Sequence, residues 1–138
     1  MQGYKLPVNI NIRIDFLPSR EKIMSSDHTY QGKILLIEDE SDISIIARTA
    51  LKAKGYDVKW TFNGYEGIEI ARNNDIDLIL LDVSMPDENG YEVLNKLKSA
   101  PETKNIPVVF FSALVQKNEI DKGLKLGALG YIQKPFLN

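Results

Sequence analysis

Glu38, Asp39, Asp82, Ser112 and Lys134 are the residues of this 138-residue chain whose types and spacing could do chemistry together. Glu38 and Asp39 follow the apolar run Ile34 to Ile37, and Asp82 closes the run Ile76 to Leu81. Ser112 follows Val108 to Phe111, and Lys134 comes directly after Gly130 to Gln133. Each stands at the C-terminal end of a strand-like run, where open α/β sheets build their sites. If the strand order is 2-1-3-4-5, the first and third strands are neighbours whose connections leave on opposite sides. The Glu38/Asp39 pair then meets Asp82 in the crevice. Three carboxylates at one point repel strongly unless a hard divalent cation is bound, and oxygen ligands with room for several waters suit Mg²⁺ better than a transition metal. A carboxylate held between such an ion and a lysine can attack a phosphoryl group and become an aspartyl phosphate. In this reading Asp82 is the nucleophile. Lys134 and the Ser112 hydroxyl donate hydrogen bonds to the phosphoryl oxygens, and the small Ala113 leaves the access path open.

Taken singly, these residues have plainer readings. A strand-end carboxylate is usually a turn residue or a helix cap, and a strand-end serine or an exposed lysine needs no explanation. The set argues for chemistry because the elements bring its members to one edge. Lys33 to Glu38, Asp57 to Phe62, Asp77 to Asp82, Pro107 to Ser112 and Gly130 to Gln133 read as five strands, three of them nearly continuous apolar runs suited to burial on both faces of a parallel sheet. Between them, Asp42 to Lys54 carries Ile43, Ile46, Ala47, Ala50 and Leu51 in the stripe of a helix lying on a sheet, stopped by Gly55. Tyr65 to Asn73, Tyr91 to Ser99 and Val115 to Leu126 give three further helices. Their apolar faces are Ile68 and Ala71, then Val93, Leu94 and Leu97, then Ile120, Leu124 and Leu126, and Asn89 reads as the N-cap of the third helix. Strands alternating with helices imply right-handed βαβ units and a doubly wound, five-stranded parallel α/β sheet.

Four ordered segments now carry a resemblance: KILLIEDE with Glu38 and Asp39, LILLDVSMPDENGYEVL with Asp82, FFSA with Ser112, and GALGYIQKPF with Tyr131, Lys134 and Pro135. Over Lys33 to Phe136 the chain resembles a receiver domain of two-component response regulators, of the flavodoxin-like chemotaxis-regulator fold with sheet order 2-1-3-4-5. The resemblance implies that Asp82 accepts a phosphoryl group from a histidine kinase or phosphotransfer protein in an Mg²⁺-dependent reaction. It implies Asp39 as a direct metal ligand, Glu38 acting on the metal through water, and the Ser84 carbonyl as the backbone ligand. Ser112 and Tyr131 match the switch pair, Lys134 the phosphoryl-binding lysine, and a cis peptide is expected before Pro135. Phosphorylation would then reshape protein contacts, and the chain would be a signalling switch with only self-phosphotransfer and autodephosphorylation, not an enzyme in the usual sense. The resemblance also implies that Ser84 and Leu114 flank the pocket and tune the lifetime of the phosphoryl group.

The resemblance places the domain at residues 33–138 and leaves 1–32 as an N-terminal extension or linker. Val8, Ile10, Ile12, Ile14 and Phe16 alternate with polar residues between Pro7 and Pro18, an amphipathic strand. Ser19 to Gly32 is polar and turn-rich and holds the lone His28. The resemblance implies a fifth helix after the KPF motif, and the expectation from Leu137-Asn138 is a domain without it. The expectation is that the Val8 to Phe16 stripe covers the sheet face so uncovered, or joins a sheet edge, in its own chain or in a partner as a dimer. Two alternatives stand beside the switch: a pseudo-receiver that only docks proteins, and an inactive fragment of a hybrid histidine kinase. The edge-strand Trp60 reads as packing or a contact patch.

Charge narrows the partners. Seventeen Lys and Arg against nineteen Asp and Glu give a formal net charge of −2, which offers nucleic acid no general electrostatic pull. The apolar runs fall far short of the roughly 18 residues a membrane span needs, and a cytoplasmic location is expected. With no cysteine, disulfides and thiolate zinc sites are excluded.

Overall fold

Five-residue runs of Leu, Ile, Val and Phe can be buried on both faces only in the middle of a parallel sheet, and the chain folds accordingly. The computed structural model describes residues 32–85, 88–112 and 117–133. It places β1 at Lys33–Ile37, α1 at Ser41–Ala53, β2 at Asp57–Thr61, α2 at Gly64–Asn73 and β3 at Leu78–Asp82. Two short strands follow, β4 at Ser84–Met85 and β5 at Glu88–Asn89. The remaining elements are α3 at Gly90–Ser99, β6 at Val108–Ser112, α4 at Lys117–Leu126 and β7 at Gly130–Gln133. The main sheet runs β2-β1-β3-β6-β7 with every pairing parallel, which is the expected 2-1-3-4-5 order of the five long strands. The β4-β5 ribbon is antiparallel and adds to the five strands that the sequence predicts. The Val8 to Phe16 stripe, His28, Ala113, Leu114, Lys134 and Pro135 lie outside the described residues.

The two faces of the sheet build separate cores. On one, Ile34, Leu36, Leu78, Leu80, Val109 and Phe111 pack with Ala47 and Leu51 of α1. On the other, Leu35, Ile37, Ile79, Leu81, Val108 and Phe110 pack with Ile68 and Ala71 of α2 and Val93, Leu94 and Leu97 of α3. Alternate residues of each strand thus face opposite helices, as the pleat requires. Local chemistry fixes the helix starts. Asn63 accepts a hydrogen bond from the Glu66 N–H at 2.8 Å, and Asn89 accepts one from the Tyr91 N–H at 2.8 Å, so the expected cap of α3 is present.

Two apolar faces differ from expectation. In α1 the buried arc centres on Ala47, Leu51 and the fully buried Ser44, while Ile46 is 43% exposed. Ile46 sits about 100° around the helix from Ala47, at the edge of that arc. In α4, Leu124 and Leu126 are exposed while Gly123 is buried. A Cβ at Gly123 would collide with the Phe110 ring, so the helix seats through a bare backbone where the sequence suggested a leucine face.

Candidate functional site

Adjacent parallel strands of matched register must deliver their C-terminal residues to the same place. The last registered pair of β1 and β3 is Ile37 with Leu81, and one residue further along each chain come Glu38 and Asp82. Asp39 follows. One carboxylate oxygen from each of Glu38, Asp39 and Asp82 lies within 4.8 Å of the others. Glu38 is fully buried, Asp82 is 2% exposed, and Asp39 is half-buried at the mouth.

The backbone around the cluster is held from three sides. The Glu38 N–H donates to the Thr61 carbonyl at 3.0 Å, continuing the β1-β2 ladder by one step. Its carbonyl accepts from the Trp60 indole Nε1–H at 2.8 Å, and its Oε2 accepts from the Glu40 N–H at 2.9 Å. Behind Asp82, the first residue of α3 presses on the strand: a Cβ on Gly90 would stand 2.7 Å from both the Asp82 carbonyl oxygen and Val83 Cα. The Gly90 N–H meets the Val83 carbonyl at 3.3 Å. Only glycine allows this approach of helix to site.

The other expected members stand as follows. β3 and β6 pair Asp82 with Phe111, so the Ser112 backbone is one residue beyond the partner of Asp82, and it pairs in turn with Gln133 of β7. That brings Ser112 to the same sheet end as the carboxylates and makes Lys134 the next residue after the last described one. The Ser84 backbone lies in the β4-β5 ribbon two residues past Asp82. Tyr131 is opposite Phe110 and half-buried against the α2/α3 core. Sequence reasoning missed two contributors, Gly90 and Trp60. A glycine in the first turn of a helix, just after its cap, is a signal of close approach that was available; the indole bond to Glu38 crosses between strands and has no such signal.

Chemically, a half-open pocket of three carboxylates supplies only hard oxygen donors, with two of them held in place by burial. Such a set fits a divalent ion that keeps part of its water, as Mg²⁺ does. Among the described residues no helix is long and apolar enough to cross a membrane.

The sequence signature of the response regulator receiver domain matches residues 34–138. The chain belongs to that family, whose members are the signalling modules of two-component systems and bind Mg²⁺ at an acidic pocket. It is 37% identical over 103 residues to the response regulator SaeR of Staphylococcus aureus, covering 75% of this chain and 44% of that protein. Over 122 residues it is 35% identical to a probable cyclic di-GMP phosphodiesterase of Vibrio cholerae, covering 88% of this chain and 27% of that protein. The chain thus spans less than half the length of these relatives. Among solved structures it is similar to a Vibrio cholerae chemotaxis protein, with a TM-score of 0.70, 27% identity and coverage of 77% of this chain and 88% of that one. It is also similar to a Francisella receiver domain, with a TM-score of 0.69, 31% identity and coverage of 77% and 86%.

Proposed function

We propose that residues 33–138 form a phosphorylatable switch in which Asp82 is the phosphoacceptor. The observation that carries this reading is the meeting of Glu38, Asp39 and Asp82 within 4.8 Å at the ends of adjacent strands. Asp82 Oδ attacks the phosphorus of a phosphohistidine on a histidine kinase or phosphotransfer protein. The P–O bond forms as the P–N bond breaks, and the departing imidazole keeps the nitrogen lone pair and takes a proton from solvent. Asp39, Asp82 and the Ser84 carbonyl would hold Mg²⁺ directly and Glu38 through water. When bound, the ion offsets the negative charge gathered between the nucleophile and the phosphoryl oxygens. Ser112 and Lys134 donate to those oxygens, and the reorientation of Ser112 and Tyr131 conveys the change to a protein partner in the cytoplasm. The reaction is confined to the chain's own phosphoryl group, and neither nucleic acid nor membrane enters it.

The test is labelling by acetyl phosphate with and without Mg²⁺, followed by intact mass, with Asp82→Asn as the control. One Mg²⁺-dependent phosphoryl group on the wild type and none on the variant is the expected result. A folded wild type that stays unlabelled at saturating Mg²⁺ would overturn the switch and leave the pseudo-receiver, a docking module without phosphorylation.

A further inference from the structure

Trp60 reaches the acidic pair from the neighbouring edge strand β2. Its Nε1–H donates to the Glu38 carbonyl at 2.8 Å. That carbonyl belongs to the peptide unit joining Glu38 to Asp39, so the indole grips the plane that sets the direction of both side chains. The register of β1 with β2 ends at Ile37 and Thr61. Beyond it, the Glu38 N–H still finds the Thr61 carbonyl, and the indole takes the place of the next ladder donor.

The indole is itself fixed. The Arg48 guanidinium carbon lies 4.4 Å from the centre of the Trp60 ring, a stacking distance for a cation over an aromatic face. Arg48 Nε and Nη2 donate to the Ser44 carbonyl and Oγ at 3.3 and 3.2 Å. Ser44 is fully buried; its Oγ donates to the Ser41 carbonyl at 2.9 Å, and its N–H donates to the Glu40 carbonyl at 3.0 Å. Glu40 returns to the site by donating its N–H to Glu38 Oε2. The contacts therefore close a ring, from Glu38 through Glu40, Ser44, Arg48 and Trp60 back to Glu38, with no member outside α1, β2 and the loop that carries the acids.

We infer that Trp60, clamped by Arg48, is a positioning residue that holds the Glu38–Asp39 peptide in its metal-binding orientation and thereby sets the affinity of the acidic pocket for a divalent cation. The inference rests on the metal-site reading above. Partners one layer behind metal ligands commonly govern affinity by about 10- to 100-fold, and a bond that fixes a ligand-bearing peptide acts by preorganisation.

Trp60→Phe keeps a ring under Arg48 and removes only the donor. Arg48→Met keeps a long stem and removes the clamp. The two possible origins of an Arg48 effect have opposite signs: loss of a positive charge near the pocket would tighten cation binding, whereas loss of the clamp loosens it. Calorimetric titration of Mg²⁺ into the full chain should show weakening of about 10-fold in Trp60→Phe and a smaller weakening in Arg48→Met. Phe62→Ala, which removes a ring 6.4 Å from Trp60 by centroid but leaves the indole donor in place, should bind as the wild type does. In EDTA, the Glu38 carbonyl-carbon and Asp39 amide resonances should move in Trp60→Phe while those of β6 and β7 stay. Unchanged resonances, or wild-type affinity in Trp60→Phe, would overturn the inference, as would tighter binding in Arg48→Met. A wild type that takes no Mg²⁺ would overturn the metal site together with the tuning role, and displaced Glu38 resonances in Trp60→Phe would then establish the anchor alone.

Discussion

Lys33 and Asp77 bind each other twice across 44 residues of sequence: the Lys33 N–H donates to Asp77 Oδ2 at 2.8 Å, and the Asp77 N–H donates to the Lys33 carbonyl at 2.8 Å. This reciprocal pair lies at the N-terminal edge of the sheet, one residue before the registered pair Ile34 and Leu78. It aligns β1 with β3, and that alignment brings Glu38 opposite Asp82 at the far end. Asp77→Ala should lower the urea-derived unfolding free energy by about 1–3 kcal/mol, the cost of leaving a shielded donor unmatched. Asp77→Asn, which keeps an oxygen in place, should lose less.

The acidic pocket should act against stability until a cation fills it. Like charges gathered at this spacing repel one another, so Asp39→Asn in EDTA should raise the unfolding free energy by up to about 1 kcal/mol. Addition of Mg²⁺ should raise the thermal midpoint of the wild type by mass action and that of Asp39→Asn much less. A midpoint of the wild type indifferent to Mg²⁺ would contradict this.

Burial pushes the Tyr56 phenol up from 10.0 to about 12. The folded state therefore keeps its proton where the unfolded chain has lost it. The stability this contributes is complete below pH 10 and is lost as pH rises through about 12. The loss stays below about 3 kcal/mol, the more so where solvent screens the phenol. Urea unfolding across this alkaline range should show the decline, and Tyr56→Phe should flatten it.

Gly90→Ala should disturb the site more than the fold. The added methyl meets the Asp82 carbonyl and Val83 Cα at 2.7 Å, so the start of α3 must retreat or β3 must bend. Such crowding costs about 1–3 kcal/mol, and the Asp82 amide resonance should shift. The rate of acetyl-phosphate labelling should fall further than the loss of folded protein accounts for.

The sheet was legible because burial on both faces forces apolar runs that no helix or turn needs, and the strand ends then located Glu38, Asp39, Asp82 and Ser112. The strand order came from resemblance, since the runs themselves do not say which neighbours which. The β4-β5 ribbon was hidden by its size, two residues on each side being too few to show a period. Helix faces failed where glycine did the packing: at Gly123 the closest surface of α4 is backbone, and a search for apolar side chains points to Leu124 instead. Trp60 was visible as an edge-strand aromatic, but its bond to Glu38 depends on the β1-β2 register and on the seat of Arg48, neither of which is written in local sequence.

The all-parallel main sheet also sets the order in which the chain can fold. Every pairing in it joins residues at least 21 positions apart, so each must close a long loop before any ladder bond forms, a topology that folds slowly. Yet the strands join outward in the order of synthesis: β2 and then β3 flank β1, β6 adds to β3, and β7 adds to β6. A ribosome-bound chain emerged only as far as Asp82 already carries all three acids, while the strands that deliver Ser112 and lead to Lys134 are still to come. The half of the pocket that gathers the three acids can therefore take shape first and serve as the template on which the later strands settle.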